Sequence, residues 1–268
     1  AFLWTDSRYF LQAGKQLKNS EFELMKLNVE GYPTVVEFLK ENVSEFGKIA
    51  FDGSNFSVKE YKNLSENMGS RILISDVDYI SQIWTDRPAL TKNKAFIMDE
   101  AYSGESINDR LERLREQLAK RDCDYTFLGS PEDICYLLNL RGYDVDYNPV
   151  ILSFMLISAD EASLCVDEDK LTSEVRTYLE EANIKIYPYE HIYNLLKNIP
   201  GKNRIYLDPK RTNVSIYDAI NSNVKISLGE NITSLMKAVK TDSEIENTKK
   251  AYIKAVSYTH LTLPTILL

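Results

Sequence analysis

Between Val150 and Ile157 the chain reads VILSFMLI, an apolar run interrupted only by Ser153. It is short for a buried helix and lacks the alternation of a strand with one wet face, so it reads as a central strand covered on both faces. Asp160 and Glu161 turn it into a second apolar stretch, Ala162 to Val166, which makes the pair a hairpin. A sheet buried on both sides needs helices to cover it, and the flanking sequence supplies them. Ser106 and Asp109 form a capping-box start for a helix with Ile107, Leu111, Leu114 and Leu118 at helical spacing. After a strand at Tyr125 to Leu128, Ser130-Pro131 offers an N-cap with Pro at the first helical position, ahead of Ile134, Leu137 and Leu138. Residues 139 to 149 read as a polar loop. Beyond the hairpin the pattern continues with a helix at Val175 to Ala182, strands near Ile184 and Ile205, and short helices at Ile192 to Leu196 and Ser215 to Ile220.

The first part of the chain alternates in the same way. Residues 1 to 5 form a strand, and Arg8 to Leu17 a helix with Asp6 or Ser7 as its N-cap. Phe22 to Leu27 is a strand, Val35 to Leu39 a short helix, and Lys48 to Phe51 a strand ended by Asp52-Gly53. Ser57 and Glu60 make a capping box, Arg71 to Ile74 is a strand, and a helical segment from Asp76 ends near Trp84, where Asp86-Arg87-Pro88 stops it. Strand and helix alternating twice over predict an α/β fold of two domains, and 268 residues suit that count. Arg87 to Lys94 is the candidate linker, which divides the chain into residues 1–92 and 93–236, two copies of one fold. A third segment, 237–255, opens with a Thr241/Glu244 capping box. Its helix puts Ile245, Thr248 and Tyr252 on one side, a face expected to dock. From Val256 to Leu268 the charges vanish apart from His260, and the helical pattern is expected to break.

With 32 basic against 40 acidic residues and a net charge of −8, the chain has no domain-scale basic excess to match a duplex phosphate surface, so nucleic acid is not a partner. No stretch approaches the roughly 20 apolar residues of a membrane span. The start has no basic n-region and too short an apolar run for a signal peptide, and the missing initiator Met suggests an absent N-terminus. Cys123, Cys135 and Cys165 include no CxxC pair and read as buried, reduced thiols of a cytosolic protein. His191 and His260 share no context that could assemble a metal site. A phosphate-binding Gly loop and a GxSxG elbow are both missing. Arg8, just past a strand end, is either a structural partner of Asp6 or a fork for a peptide carboxylate or carbonyl. Asp144 and Asp146 read as solvated loop acids or as a carboxylate pair, and Trp84 as a core residue or an exposed anchor. From the residues alone, no complete active site assembles.

Taken together, WTDSRYFLQA (4–13), LMKL (24–27), IWTDRP (83–88), RLREQLAKRDCD (113–124), LLNLRGYDVDYNPV (137–150), KAVKTDSEIE (237–246) and KKAYIKA (249–255) resemble the N-terminal part of aminopeptidase P, the Xaa-Pro aminopeptidase family, in its long three-domain form. Ser7 stands where that family usually carries Gly. The resemblance implies two creatinase-type N-terminal domains, each a mixed sheet flanked by helices, then the first helix of a missing pita-bread catalytic domain. In the family that domain removes the first residue from peptides with Pro second. It uses two divalent metals, usually Mn²⁺, held by two Asp, one His and two Glu. None of those ligands can be placed here. The resemblance therefore implies a non-catalytic portion that binds no cofactor itself, taken from a cytoplasmic, homodimeric metallopeptidase. It carries over one functional residue, Arg8 of the WTDxRY motif, as a substrate-binding group. The same architecture also serves in a chaperone-type subunit without peptidase chemistry, so an inert interaction module is the alternative. Residues 256–268 match nothing in the family and read as a cloning or assembly artefact.

Overall fold

The structure, a computed structural model, describes residues 1–266, with side chains described through Ser257. Contacts divide it into two units, Ala1–Trp84 and Thr85–Leu268. In the first, β1 (Phe2–Thr5) leads through a 3-10 turn at Ser7–Tyr9 into α1 (Phe10–Gln16). β2 (Glu23–Lys26) then lies parallel to β1 with Trp4 opposite Met25. α2 (Val35–Asn42) starts from a capping box of Thr34 and Glu37, and its Phe38 ring packs against Phe2 and Trp4 at 4.6 and 5.2 Å between centroids. β3 (Lys48–Ala50) and β4 (Ile72–Ile74) form a second parallel pair, joined by α3 (Val58–Met68), which buries Val58, Leu64 and Met68. The Ser57/Glu60 box caps α3 as expected. The helix expected from Asp76 shrinks to one turn, α4 (Ile80–Ile83), because Asp76 is held extended by a bridge to Asp52.

The second unit opens with β5 (Phe96–Ile97), α5 (Glu100–Ser103) and α6 (Ile107–Ala119). There follow β6 (Tyr125–Leu128), α7 (Pro131–Leu137), β7 (Leu140–Arg141), β8 (Ser153–Ser158) and β9 (Ala162–Val166). Next come α8 (Ser173–Glu181), β10 (Ile184–Tyr187), α9 (Ile192–Lys197), β11 (Arg204–Leu207) and α10 (Val214–Asp218). The unit ends with β12 (Lys225–Leu228), α11 (Ile232–Ala238) and α12 (Asp242–Ile266). Six strands make one mixed sheet in the order β10-β9-β8-β6-β11-β12. β8 runs antiparallel to β6 and β9, and the other pairings are parallel. β8 is the strand of the apolar run, and its side chains alternate between two cores as a doubly covered strand requires. Met155 and Ile157 join Leu111, Leu114 and Leu118 of α6, while Leu156 joins Ile192, Leu196 and Ile216 on the opposite face.

Several local expectations change. The Ser130 side chain does not cap α7. Its hydroxyl donates to the neighbouring Glu132 at 3.0 Å and accepts from the distant Arg211 at 2.6 Å, so these two side chains occupy it. Residues 139–149 are not all loop, since β7 pairs antiparallel with β5, a strand too short to stand out in sequence. The contact division falls after Trp84, whereas the sequence placed the boundary after residue 92. The candidate linker, Arg87 to Lys94, has no regular structure, and its later residues bond within the second unit. Thr91 reaches Asp144, Asn93 the Tyr143 carbonyl, and Lys92 Asp169. The Thr241/Glu244 box caps α12 as expected. The docking of that helix is polar, however: Thr241 Oγ1 donates to the Ser103 carbonyl at 2.8 Å and Asn247 to that of Ala101 at 3.0 Å, while Tyr252 stays 68 % exposed. The helix also continues past Val256 to Ile266, so the expected break there does not occur. Residues 267 and 268 of that segment lie outside the described residues.

Candidate functional site

Arg8 sits in the 3-10 turn that follows β1. Asp6 creates this turn by accepting the Arg8 backbone N–H at 3.0 Å, and then binds the Arg8 side chain with both carboxylate oxygens, Nε at 3.0 Å and Nη2 at 2.7 Å. The two-pronged bond holds the Asp6 carboxyl at a pKa of about 2, well below its ordinary value, chiefly through the side-chain hydrogen bond from Arg8. The Arg8 side chain nevertheless remains 79 % exposed and lies 5.8 Å from the centroid of the Tyr9 ring. The pairing with Asp6 is thus formed. Asp6 fixes the plane of the guanidinium, and the outward edge stays in solvent, where it can meet an acceptor. Trp4 is fixed by its Nε1–H bond to the Pro33 carbonyl at 2.8 Å.

The segment 139–150 in the second unit is more deeply built in than a surface loop. Asn139 is fully buried in a left-handed conformation, φ 50°. It accepts from Arg110 Nη1 at 2.6 Å and donates to the Glu105 carbonyl at 2.9 Å. Arg110, fully buried itself, stacks 4.1 Å from the Tyr136 ring centroid, donates to the Tyr136 carbonyl, and meets Glu105 at 3.2 Å and Glu244 at 3.7 Å. Gly142 passes so close to Ile151 that a Cβ would lie 2.4 Å from Cγ2, which only a glycine tolerates. Asp144 then turns inward. Its carboxylate accepts from Lys170 at 2.5 Å, from the Leu152 N–H at 2.7 Å and from Thr91 at 2.7 Å, with the two charged side chains 0 and 2 % exposed. Asp146 stays exposed, so the two acids do not form a pair, and Asp144 is not the solvated acid of the sequence reading. Tyr143 and Tyr147 project from this anchored base into solvent.

Sequence reasoning placed Arg141 in the motif LLNLRGYDVDYNPV but gave it no role. Its Nη1 donates to the Cys135 and Leu140 carbonyls at 2.8 and 2.7 Å, and the residue lines a pocket of about 250 Å³ with Tyr136, Asn148, Val150, Lys237 and Glu244. Desolvation lowers its pKa below the ordinary value. The signal available in sequence was a lone Arg between a buried Leu and a Gly, which also fits an ordinary surface cation. The remaining candidates do not converge on a site. Trp84 is 46 % exposed at the end of the first unit. The three cysteines are buried and free, with Cys135 and Cys165 pushed up to about 11 and 12 by burial. His191 stacks on Tyr187 with 4.7 Å between centroids, and the His260 side chain lies outside the described ones. Among the described residues no three His, Cys, Asp or Glu side chains come together as metal ligands, and no step through a metal is assigned to this chain. Among them, too, no helix is long and apolar enough to cross a membrane.

The chain is similar to known proteins along most of its length. Residues 1–83 and 86–244 each match a family described as the creatinase/prolidase N-terminal domain. The chain is 31 % identical over 265 residues to Xaa-Pro aminopeptidase 1 of Dictyostelium discoideum, covering 94 % of this chain and 42 % of that protein. It is 32 % identical over 228 residues to aminopeptidase P2 of Arabidopsis thaliana, covering 83 % of this chain and 32 % of that one. Among solved structures it resembles the X-prolyl aminopeptidase of Caenorhabditis elegans, described as a cytosolic enzyme with a di-nuclear active site. The TM-score is 0.86 at 28 % identity, over 98 % of this chain and 45 % of that one. The chain thus spans less than half the length of these relatives. Two matched domains covering nearly all of residues 1–244, together with the mixed helix-flanked sheet, mean that the chain belongs to the creatinase/prolidase N-terminal domain family and is a homologue of the N-terminal part of the Xaa-Pro aminopeptidases.

Proposed function

We propose that this chain is the non-catalytic, N-terminal portion of a metal-dependent aminopeptidase that removes the first residue from peptides with Pro in second position. The observation that carries the reading is the likeness to Xaa-Pro aminopeptidases along nearly the whole chain, 31 % identity over 94 % of it in one relative. In this reading the two manganese ions and their ligands belong to the parent's catalytic domain, and the parent works as a cytoplasmic homodimer. Arg8 is the substrate-binding residue contributed from the first unit. Asp6 fixes the orientation of the guanidinium plane through its two-pronged bond, so a peptide carbonyl or carboxylate meets a donor edge that is already oriented.

The first test uses the chain itself. Purified and supplied with Mn²⁺, it releases no N-terminal residue from an Xaa-Pro peptide, and metal-dependent turnover free of contaminating peptidase overturns the reading. The second uses a full-length parent. There Arg8→Ala lowers kcat/KM by roughly ten- to hundredfold, with the unfolding midpoint nearly unmoved. Arg8→Lys recovers part of that loss, because a point charge cannot make the two-pronged contact. Unfolding of the first domain with normal kcat/KM in the surviving folded fraction makes Arg8 a structural partner of Asp6 and nothing more.

A further inference from the structure

We propose that the pocket beside Arg141 is a carboxylate-binding site, which takes the terminal carboxylate of a small organic acid or of a short peptide. The pocket lies where α7, the segment after β7, and the start of α12 meet, at a distance in sequence from the Arg8 motif and within the second unit alone. Its volume, about 250 Å³, is at the small end for ligand sites, which limits the ligand to a few heavy atoms or to the end of a longer molecule.

The case rests on which charges around the pocket are already matched. Glu132 accepts from the Ser130 hydroxyl at 3.0 Å and from Asn148 Nδ2 at 3.1 Å. Glu244 accepts the Thr241 N–H at 2.9 Å and stands 3.7 Å from Arg110. Lys237 is bound to the buried Asp133 at 2.5 Å, and Lys240 donates to the Lys237 carbonyl. Arg141 is different. One nitrogen, Nη1, makes both of its hydrogen bonds, and both go to backbone carbonyls. No carboxylate among the described residues lies within ion-pair distance of it, whereas Arg110, Lys170 and Arg211 each have at least one. The Nε–H and the second amino group therefore form an unspent two-donor edge on a half-buried guanidinium, the geometry that a carboxylate fills with two parallel hydrogen bonds. Burial is the largest influence lowering its pKa, only partly offset by Cys135 and Glu244, and a bound anion would relieve it further. Tyr136, Pro149 and Val150 give the pocket an apolar wall for the remainder of the ligand. Lys237 and Lys240 share the lining with Glu132 and Glu244, so Arg141 supplies the positive charge left over there.

The test is a titration of the 268-residue chain with sodium acetate and with glycylglycine, against sodium chloride and glycinamide at matched ionic strength, read by calorimetry and by the Arg141 Nε–H resonance. Acetate and glycylglycine are expected to bind saturably and to shift that resonance, with no such response to chloride or to glycinamide, which has no carboxylate. Arg141→Gln raises both dissociation constants at least tenfold, as expected for the loss of charge-assisted hydrogen bonds, and Arg141→Lys raises them less. Comparable affinities identify a small acid as sufficient, and a tenfold preference for glycylglycine identifies a peptide end. Because Nη1 also supports two backbone carbonyls, Arg141→Gln could fail to fold, and the resonance shift in the unmodified chain then decides. The proposal is overturned by an unshifted Arg141 resonance at saturating acetate, or by acetate affinity unchanged in a folded Arg141→Gln chain.

Discussion

Replacing Lys170 by Met separates the two accounts of the segment that follows β7, a surface loop or a buried clamp. In the structure the Lys170 ammonium has a carboxylate partner 2.5 Å away, and both side chains are shielded, at 2 and 0 % exposure. Met fills nearly the volume of the Lys stem but leaves Asp144 with only the Leu152 N–H and the Thr91 hydroxyl as donors. Removing one partner of a buried pair leaves an uncompensated charge and typically destabilises by about 3–5 kcal/mol. Unfolding units of 150–250 residues move by about 2–4 °C per kcal/mol, so the second unit's transition should fall by roughly 6–20 °C. Asp144→Leu should fall in the same range, because it strands the Lys170 ammonium. Scanning calorimetry of the chain gives the transition directly. The double variant Lys170→Met/Asp144→Leu supplies the sharper check. With no charge left to bury, it should lie well above the sum of the single changes, within about 2 kcal/mol of the parent chain. A drop below about 2 °C for Lys170→Met, with the double variant simply additive, would mean that water reaches the pair, and the clamp argument fails.

Three further outcomes follow from the same structure. Thr241→Val removes both the N-cap of α12 and its bond to the Ser103 carbonyl, and should cost about 1–2 kcal/mol and speed proteolysis within α12, with unchanged proteolysis counting against the polar anchor. Gly104→Ala should injure the same junction, since Gly104 has φ 69° and an added Cβ would lie 2.8 Å from Thr241 Oγ1; a neutral result in a thermal scan contradicts that packing. Cys135 and Cys165 have folded pKa values of about 11 and 12 against 9.0 for a free thiol, so the folded chain keeps protons that the unfolded chain releases. Stability from these two groups is therefore full below pH 9 and declines as pH rises towards 11–12, and a thiol reagent at pH 8 should label both only on unfolding, prompt native labelling being the contrary result.

What the sequence revealed and what it concealed divide by range. The capping boxes at Ser57, Ser106 and Thr241 were legible because each is a contract between residues three apart. The doubly covered β8 was legible because burial on both faces leaves no room for polar residues. Asp144 was not, because its chief partner is 26 positions away and a lone Asp in a polar stretch looks solvated until Lys170 is brought to it. β5 and β7, two residues each, carry no periodicity at all and exist through their pairing. The role of Asn139 depends on Arg110, 29 positions earlier, a residue that in sequence is one more charge on an amphipathic helix. Arg8 was legible as a candidate only through the motif around it, and its two-pronged tie to Asp6 was one of the two alternatives the residues left open.

The attachment of α12 to the second unit is made of directional bonds, from Thr241, Asn247 and Glu244, at one end of a helix of 25 residues. At 1.5 Å per residue that helix is about 37 Å long, so it behaves as a lever pivoted at its root. Apolar packing permits a helix to slide and roll by small amounts with little penalty, whereas hydrogen bonds to two fixed carbonyls resist rotation about the pivot. A slack of about 5° at the latch displaces the far end by roughly 3 Å, as the helix length dictates. The angular tolerance of three polar side chains thus sets the positional accuracy at the distal end of α12.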